Sequence, residues 1–539
     1  MNGSAQRKAS SAKRLALIFS FALCALRFAL PVEAARVEIR EGRFYVDGSP
    51  FYVRGIGYAP WRPHQHPGMS YSGTNHRWTK MDFERMKAAH FNTLRTWDAL
   101  EPEDLALARE SGLMVLQGIW LDPKQDFSDP RNQQAALAQA KSVAEQSKDF
   151  DNVLGYIVMT EPSPQAVLET GTNETLQYFR KLKRVIQSVD PRPVSMDSWP
   201  PLAFLDHHDF DFATFNLYAF WPKSITDAMG LAGMTHWFVD HFGGDRPFIV
   251  GETGGYAVSE ASQTAAGGFG GLSEYDQSLK DLDSLRETLE GQADGSVLVS
   301  WIDTWHYPRD PDVHDNEPWE WDGVLGIATD SEKDMDGIPR QIYRDVSLYN
   351  HLIPVEPKDN HIYPIQQPMP IRVNGSDDVQ YVRYSLNDGD WTYLDGSGHG
   401  WFHGSFQLPK LARRRQTLAL QALDKNETLL VKKSVSFLAG VQPEHVTVEP
   451  KKNSRLEFTA TVQGGDHRPI VGRKVAWGCF YPISFTEGEG VQTTDAAGQI
   501  AFSCPAVSGA PARYLFAAAG TDSPDHLRTS DLRIFQVGQ

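Results

Sequence analysis

The sequence predicts an α/β fold: a (β/α)8 barrel followed by two small all-β sandwich domains. Three observations carry that prediction. Between about residues 37 and 350, eight short β-rich apolar runs alternate with amphipathic helical stretches. Beyond "HLIPVEPKDN" the helical periodicity vanishes, and alternating strands with Asn-Gly and Asp-Gly turns take over. Residues able to do chemistry fall at the C-terminal ends of the apolar runs, where a barrel opens.

The first segment reads as a targeting sequence over residues 1–34. Lys8, Lys13 and Arg14 form a basic region, "LALIFSFALCALRFALP" is apolar though interrupted by Arg27, and "VEA" before Ala35 fits cleavage after Ala34. The run is short for a membrane-spanning helix, so membrane attachment is expected only if this segment is not cleaved. The expected location is therefore secreted, periplasmic or at the cell surface.

The barrel is expected over residues 35–352. It is entered through "VEIREGRFYVDGSPFYVRG", a β-hairpin turning at Asp47-Gly48. The eight runs are "FYVRGIGY", "FNTLRTW", "LMVLQGI", "NVLGYIVMT", "PVSMDS", "FDFATFN", "PFIVGE" and "SVLVSWI". Helical patterns such as "NQQAALAQAKSVAEQS" and "TLQYFRKLKRVIQSV" lie between them. A doubly wound open sheet is the alternative, but it calls for a Gly-rich phosphate turn that "RGIGYAP" does not supply. The sandwiches are expected at 353–440 and 441–539. Cys479 and Cys504, the two cysteines beyond the targeting segment, form an even pair in a chain expected to be exported, which predicts one disulfide.

Composition narrows the function. Among 539 residues the formal charge is −16, which argues against nucleic acid and anionic membrane as partners. With 14 Trp and 18 Tyr the chain has aromatic faces to spare for stacking on sugar rings, although large cores use them too. No Gly-x-Ser-x-Gly elbow of an esterase occurs. The histidines at 64–66, 207–208 and 306 match no closed metal-ligand set, and "DPDVHDNEPWEWD" lacks the glycine of a calcium loop. No metal and no cofactor are expected, and that carboxylate-rich stretch reads as a solvated loop over the site.

The strand ends hold the candidate chemistry. Strand 2 ends in Arg95, Trp97 and Asp98, strand 4 in Glu161, strand 7 in Glu252, and strand 8 in Trp301 and Asp303; Asn216 and Tyr218 follow strand 6. Glutamates on strands 4 and 7 would face each other across one bowl. Glycoside hydrolysis needs such a pair, one carboxyl protonated to release the leaving oxygen and one ionised to attack the anomeric carbon. Arg95 and Tyr218 are placed to hydrogen-bond the ionised partner, and Trp301 to floor the sugar site. Trp61, Trp120, Trp199 and Trp221 follow strands 1, 3, 5 and 6 and suggest sugar subsites as a group; each alone reads equally as loop packing.

With "FYVDGSPFYVRGIGYAPW", "FNTLRTW", "GYIVMTEP", "PFIVGETG", "SWIDTWH" and "DGVLGI…PRQIYRDV" in this order, residues 37–350 resemble a clan-A glycoside hydrolase barrel, nearest to family 2 and family 5 types. The resemblance implies a retaining β-glycosidase with Glu161 as general acid/base and Glu252 as nucleophile. It implies substrate-site roles for Arg95, Asn216, Tyr218, Trp301 and Asp303. The family's asparagine before the acid/base is here Thr160, whose hydroxyl reaches less far towards a sugar 2-hydroxyl. In the last domain "G…KVAW…T…DAAGQ" resembles bacterial immunoglobulin-like adhesin repeats. The expected activity is hydrolysis of a β-linked glucan or related saccharide, with transfer to another sugar as a close variant. The reading from another class is an inactive carbohydrate-binding or surface-adhesion protein, held to cell-surface polysaccharide through its sandwiches.

Overall fold

The computed structural model describes residues 37–65, 76–258, 269–305, 312–315, 317–363, 368–408, 415–440, 444–452, 454–507, 513–523 and 528–537. The targeting segment expected at 1–34 lies outside the described residues, as do His66, His306 and much of the Gly-rich stretch after strand 7.

Three short strands, Val37–Arg40, Arg43–Val46 and Ser49–Phe51, form an antiparallel sheet that turns at Asp47 and Gly48, both with positive φ, as the Asp-Gly pair predicts. Phe44 and Val46 of this sheet, with Phe51, pack against Leu116, Leu154 and Ile249 from the barrel strands, so the entry sheet plugs the barrel's lower end. Phe44 meets Phe212 edge-on at 5.1 Å.

Eight parallel strands then close into a barrel: β1 (Val53–Tyr58), β2 (Thr93–Thr96), β3 (Met114–Ile119), β4 (Val153–Thr160), β5 (Val194–Ser198), β6 (Ala213–Asn216), β7 (Phe248–Gly254) and β8 (Gly295–Val299). β8 pairs with β1, so the sheet has no edges and the open-sheet alternative falls. The strands are buried almost throughout, as strands covered on both faces must be.

The helices follow their sequence signals. α1 (His76–Ala88), α2 (Pro102–Glu110), α3 (Pro130–Ser147), α4 (Pro164–Thr170) and α5 (Thr172–Gln187) wrap the first half. α3 starts with Pro130 in its first turn behind Asp129, whose carboxylate accepts from the Arg131 amide. α5 buries Leu176, Phe179, Leu182 and Ile186, one face of a helix. The stretch after β6, which the sequence does not mark as helical, contains α6 (Lys223–Phe238), kinked at Gly230. α7 (Glu274–Glu290) and α8 (Gln341–His351) complete the barrel.

Strand Leu352–Glu356 begins directly after α8 and opens a sandwich of a four-stranded and a five-stranded sheet. Arg54 at the foot of β1 donates to Asn374 Oδ1 and to the Gly375 carbonyl of this sandwich, at 2.7 Å each. The last domain pairs a three-stranded with a four-stranded sheet. The Cys479–Cys504 disulfide is formed and ties strand Lys474–Tyr481 of one sheet to the residue following strand Gln499–Ser503 of the other.

This last sandwich shares a core with the barrel. Phe480, Phe516, Ala518 and Leu532 pack in one cluster with Ile225, Met229 and Phe215. The approach is close enough to require glycine. A β-carbon on Gly478 would lie 1.9 Å from the Ser224 carbonyl oxygen, and one on Gly520 2.2 Å from that of Ala228. The Ser224 hydroxyl donates to the Cys479 carbonyl at 2.9 Å, and its amide to Glu487 at 2.6 Å. Gly478→Val is therefore expected to push the sandwich off α6 and cost about 1–3 kcal/mol, seen as a lower melting temperature and new protease cleavage between the domains.

Candidate active site

The barrel mouth holds a cavity of about 620 Å³. Glu161, at the end of β4, and Glu252, within β7, both line it, as opposed strand ends of a barrel should. β4 does not end as a regular strand. Its pairing with β5 slips between Val158 and Thr160, and Met159 and Glu161 both adopt left-handed backbone, with φ of 62° and 47°. An irregularity of this kind re-aims the side chains that follow it, and non-glycine residues in that region cost about 1–3 kcal/mol each. The Glu161 amide donates to the Asp197 carbonyl at 3.1 Å, which holds the turned end on β5.

The two carboxyl groups have opposite surroundings. Glu252 accepts hydrogen bonds from two donors, Trp97 Nε1 at 2.7 Å and the Tyr218 hydroxyl at 2.6 Å, and is ion-paired with the Arg95 guanidinium, Nη1 lying 3.0 Å away. An ionised carboxylate can only accept, and this set suits that state. Burial and the negative charge of Glu252 raise the Tyr218 pKa well above its ordinary value, so the phenol stays a donor. Glu161 accepts from Asn216 Nδ2 at 2.9 Å. Burial, then the charge of Glu252, push the Glu161 pKa up to about 8 against the pull of that hydrogen bond. Glu161 is arranged to hold a proton at neutral pH, while Glu252 sits among donors and a cation.

Arg95 links the parts. Its side chain has no exposed surface; it pairs with Asp197 as well as Glu252, donates weakly to the Thr160 hydroxyl at 3.3 Å, and lies over the Trp97 ring at 4.6 Å. Burial pushes the Asp197 pKa up to about 7 against the pull of Arg95. The glycine of "VGE" is required here, since a β-carbon on Gly251 would lie 2.6 Å from Asp197 Oδ1 and 2.9 Å from Asn216 Oδ1.

The residues read as substrate-binding divide. Thr160 and Tyr218 line the cavity. Trp301 borders it, but its side chain is fully buried and packs edge-on to Phe91 and Tyr343, which makes it core and removes it as an open stacking floor. Arg95 and Asn216 are buried behind the glutamates and act on them; neither reaches the cavity surface. Asp303 is a correction. It points away from the mouth, where both oxygens pair with Arg340 at 2.7 Å and accept from the Gly323 and Ile327 amides. Arg340 and the two amides together saturate it, leaving no acceptor for a ligand.

Other features went unread in the sequence. Asp322 lines the cavity, accepts from the Ser300 hydroxyl at 2.7 Å, and is pushed by burial to about 7. In the stretch expected to be a solvated loop, Val313 is exposed as expected, but other described residues are packed: His314 stacks on Trp321 at 3.6 Å and on Trp305 at 4.7 Å, and Glu320 is buried. Trp61, Trp120 and Trp199 line the cavity, and Trp221 stacks behind Trp199 at 5.1 Å. Among the described residues one group could hold a metal ion, His90, His351 and Asp378, and none of the three lines this cavity.

Two outcomes test this geometry. Arg95→Met leaves Asp197 and Glu252 buried without their cation and is expected to cost about 3–5 kcal/mol, read by denaturant unfolding at neutral pH. For Glu161 the folded pKa lies above the unfolded one. Its favourable contribution is complete below about 4.5 and is lost as pH rises towards 8. Glu161→Gln keeps the acceptor for Asn216 without the ionisation, so it is expected to melt higher than the parent at pH 8 and equally at pH 4.

Comparison with known proteins places these features in context. No protein-family profile matches the chain. A β-glucuronidase of Paenibacillus borealis is 24% identical over 260 residues, which is 45% of this chain and 42% of that protein. The chain thus spans less than half the length of that relative. Among solved structures, a Parabacteroides merdae β-glucuronidase aligns over 93% of this chain and 63% of its own, with a TM-score of 0.46 and 13% identity. One from Ruminococcus gnavus aligns over 58% and 52%, with a TM-score of 0.46 and 16% identity.

Proposed function

We propose that this chain is a retaining β-glycoside hydrolase of the clan-A barrel type. The observation that carries the proposal is the asymmetry of the glutamate pair. Glu252 has two hydrogen-bond donors and a paired arginine, whereas Glu161 has one donor and a pKa raised to about 8. The relative in Paenibacillus, a β-glucuronidase, supports the same reaction class.

The chemistry follows from that asymmetry. Glu161 gives its proton to the glycosidic oxygen as that bond breaks, and Glu252 attacks the anomeric carbon to form a glycosyl ester. Arg95, Trp97 and Tyr218 keep Glu252 ionised and oriented for attack. Ester formation neutralises Glu252 and removes the like charge that disfavoured ionised Glu161, so Glu161 can remain deprotonated. Glu161, now a base, draws a proton from water, which attacks the same carbon and frees Glu252. A sugar hydroxyl in place of water gives transfer. Thr160 stands where the family's asparagine meets the 2-hydroxyl; its hydroxyl lines the cavity and takes the Arg95 hydrogen bond, which leaves its own proton for the sugar.

For the substrate we favour a neutral β-linked glucan or related oligosaccharide. The cavity is walled by Trp61, Trp97, Trp120, Trp199 and Trp319, and it already holds the carboxyl groups of Glu161, Glu252 and Asp322. A glucuronide is the second reading. Its carboxylate would need a cation, and among the described lining residues Lys124 alone is one. Export of the chain also belongs to this proposal, on the strength of the basic and apolar run at its start.

The tests separate these readings. Glu161→Gln is expected to lower kcat on alkyl glycosides about 10²–10⁴-fold, and far less on a glycosyl fluoride, whose leaving group needs no proton. A 2-fluorosugar inactivator should label Glu252, and NMR of the first-formed product should show the β-anomer; an α-anomer, or a label elsewhere, refutes the mechanism. If aryl β-glucuronide outcompetes aryl β-glucoside and Lys124→Met abolishes that preference, the glucuronide reading replaces the glucan one.

A further inference from the structure

The cavity wall is not made by the barrel alone. Pro482, Ile483 and Phe485, from the turn between strands Lys474–Tyr481 and Thr486–Thr493 of the last sandwich, line it beside the glutamates. Phe485 is 50% exposed, high for a phenylalanine, and its ring lies 6.2 Å from both Trp199 and Trp221. Those two indoles stack on each other at 5.1 Å, and Trp221 meets Phe480 of the sandwich edge-on at 5.5 Å. The result is an aromatic platform built from two domains.

Its position relative to the chemistry is set by one hydrogen bond. Trp199 Nε1 donates to the carbonyl of Pro162 at 3.2 Å, and Pro162 is the residue after Glu161. The platform therefore adjoins the carboxyl that protonates the leaving oxygen. The turn is also firmly placed. Cys479 and Cys504 are bonded close to its root, Tyr481 donates to the Pro505 carbonyl at 2.7 Å, and Glu487 and Glu489 on its far side hold the Ser224 amide and Lys223. A half-exposed aromatic ring on a rigid turn, facing a substrate-sized cavity, is what recognition of a ring with an apolar face requires.

We infer that the Pro482–Phe485 turn of the last sandwich forms the leaving-group subsite, with Phe485 and Trp199, backed by Trp221, receiving the ring of the departing group, a pyranose or an aryl ring. The inference rests on the glycosidase reading for the word "leaving-group", and its test is chosen so that the two can fail separately.

The experiment compares Phe485→Ala and Phe485→Trp with the parent chain, on β-glucosyl fluoride, 4-nitrophenyl β-glucoside and cellobiose, and on the glucuronosyl fluoride and 4-nitrophenyl glucuronide. The fluorides carry no ring in the leaving position. Phe485→Ala is expected to lower the ratio of kcat/KM for the ring-bearing substrate to that for the fluoride about tenfold, mainly through KM, and Phe485→Trp to restore it. An equal loss on both substrate types, or no loss on either, overturns the subsite. Calorimetric binding of cellobiose and 4-nitrophenyl glycosides to the same chains reads the platform without catalysis. If the parent turns over nothing, yet Phe485→Ala weakens ring binding about tenfold, the subsite stands as a ring-binding platform and the glycosidase reading falls. If no ring-bearing probe binds any of the chains, the subsite falls.

Discussion

The guanidinium of Arg95 is the charge on which the barrel mouth depends. It is fully buried, and it faces two carboxylates, Glu252 and Asp197. One cation shared by two buried carboxyl groups leaves little to offset a further charge nearby, and burial itself disfavours one. Glu161 can then stay in the same cavity only as the neutral acid, which is the state in which it can donate a proton. Remove the arginine and Glu252 loses its cation, keeping only the Trp97 and Tyr218 hydrogen bonds. Several local oddities serve the same arrangement: glycine at 251, where a β-carbon would strike Asp197, and the left-handed backbone that turns Glu161 inward.

Much of this was legible because a barrel converts sequence position into spatial position. Residues at the ends of apolar runs must surface at one mouth, so Glu161, Glu252, Arg95 and Tyr218 could be grouped before any coordinates were known. The same signal marks Asp197 at the end of "PVSMDS", a residue passed over although its strand was recognised. The rule also overreaches. Asp303 lies beyond the end of β8, where the chain has already turned, and Arg340 claims it instead.

Other parts had no local signature. α6 escaped because it is buried on two sides, by barrel and by sandwich. Ile225, Ala228, Met229, Leu231, Ala232 and Met234 leave no polar stripe to set the helical period, and Gly230 kinks it. The packed stretch around His314 is charged in composition, yet its rings stack on one another, and composition alone reads as solvent exposure. Phe485 looks like any hydrophobic residue in a turn. Its membership in the cavity depends on how two domains dock, and no periodicity within either records that.

The shared core between the last sandwich and α6 has a bearing on how the molecule is made. The chain leaves the ribosome from its amino terminus, so the barrel strands and Trp199 emerge long before the turn that bears Phe485. Until that final domain has folded, Ile225, Met229 and the face of α6 have no cover, and the cavity lacks one wall. Contacts so far apart in sequence form late and slowly. The nascent barrel therefore passes through an interval with sticky surface and an unfinished pocket, and competence waits for the strands of that sandwich.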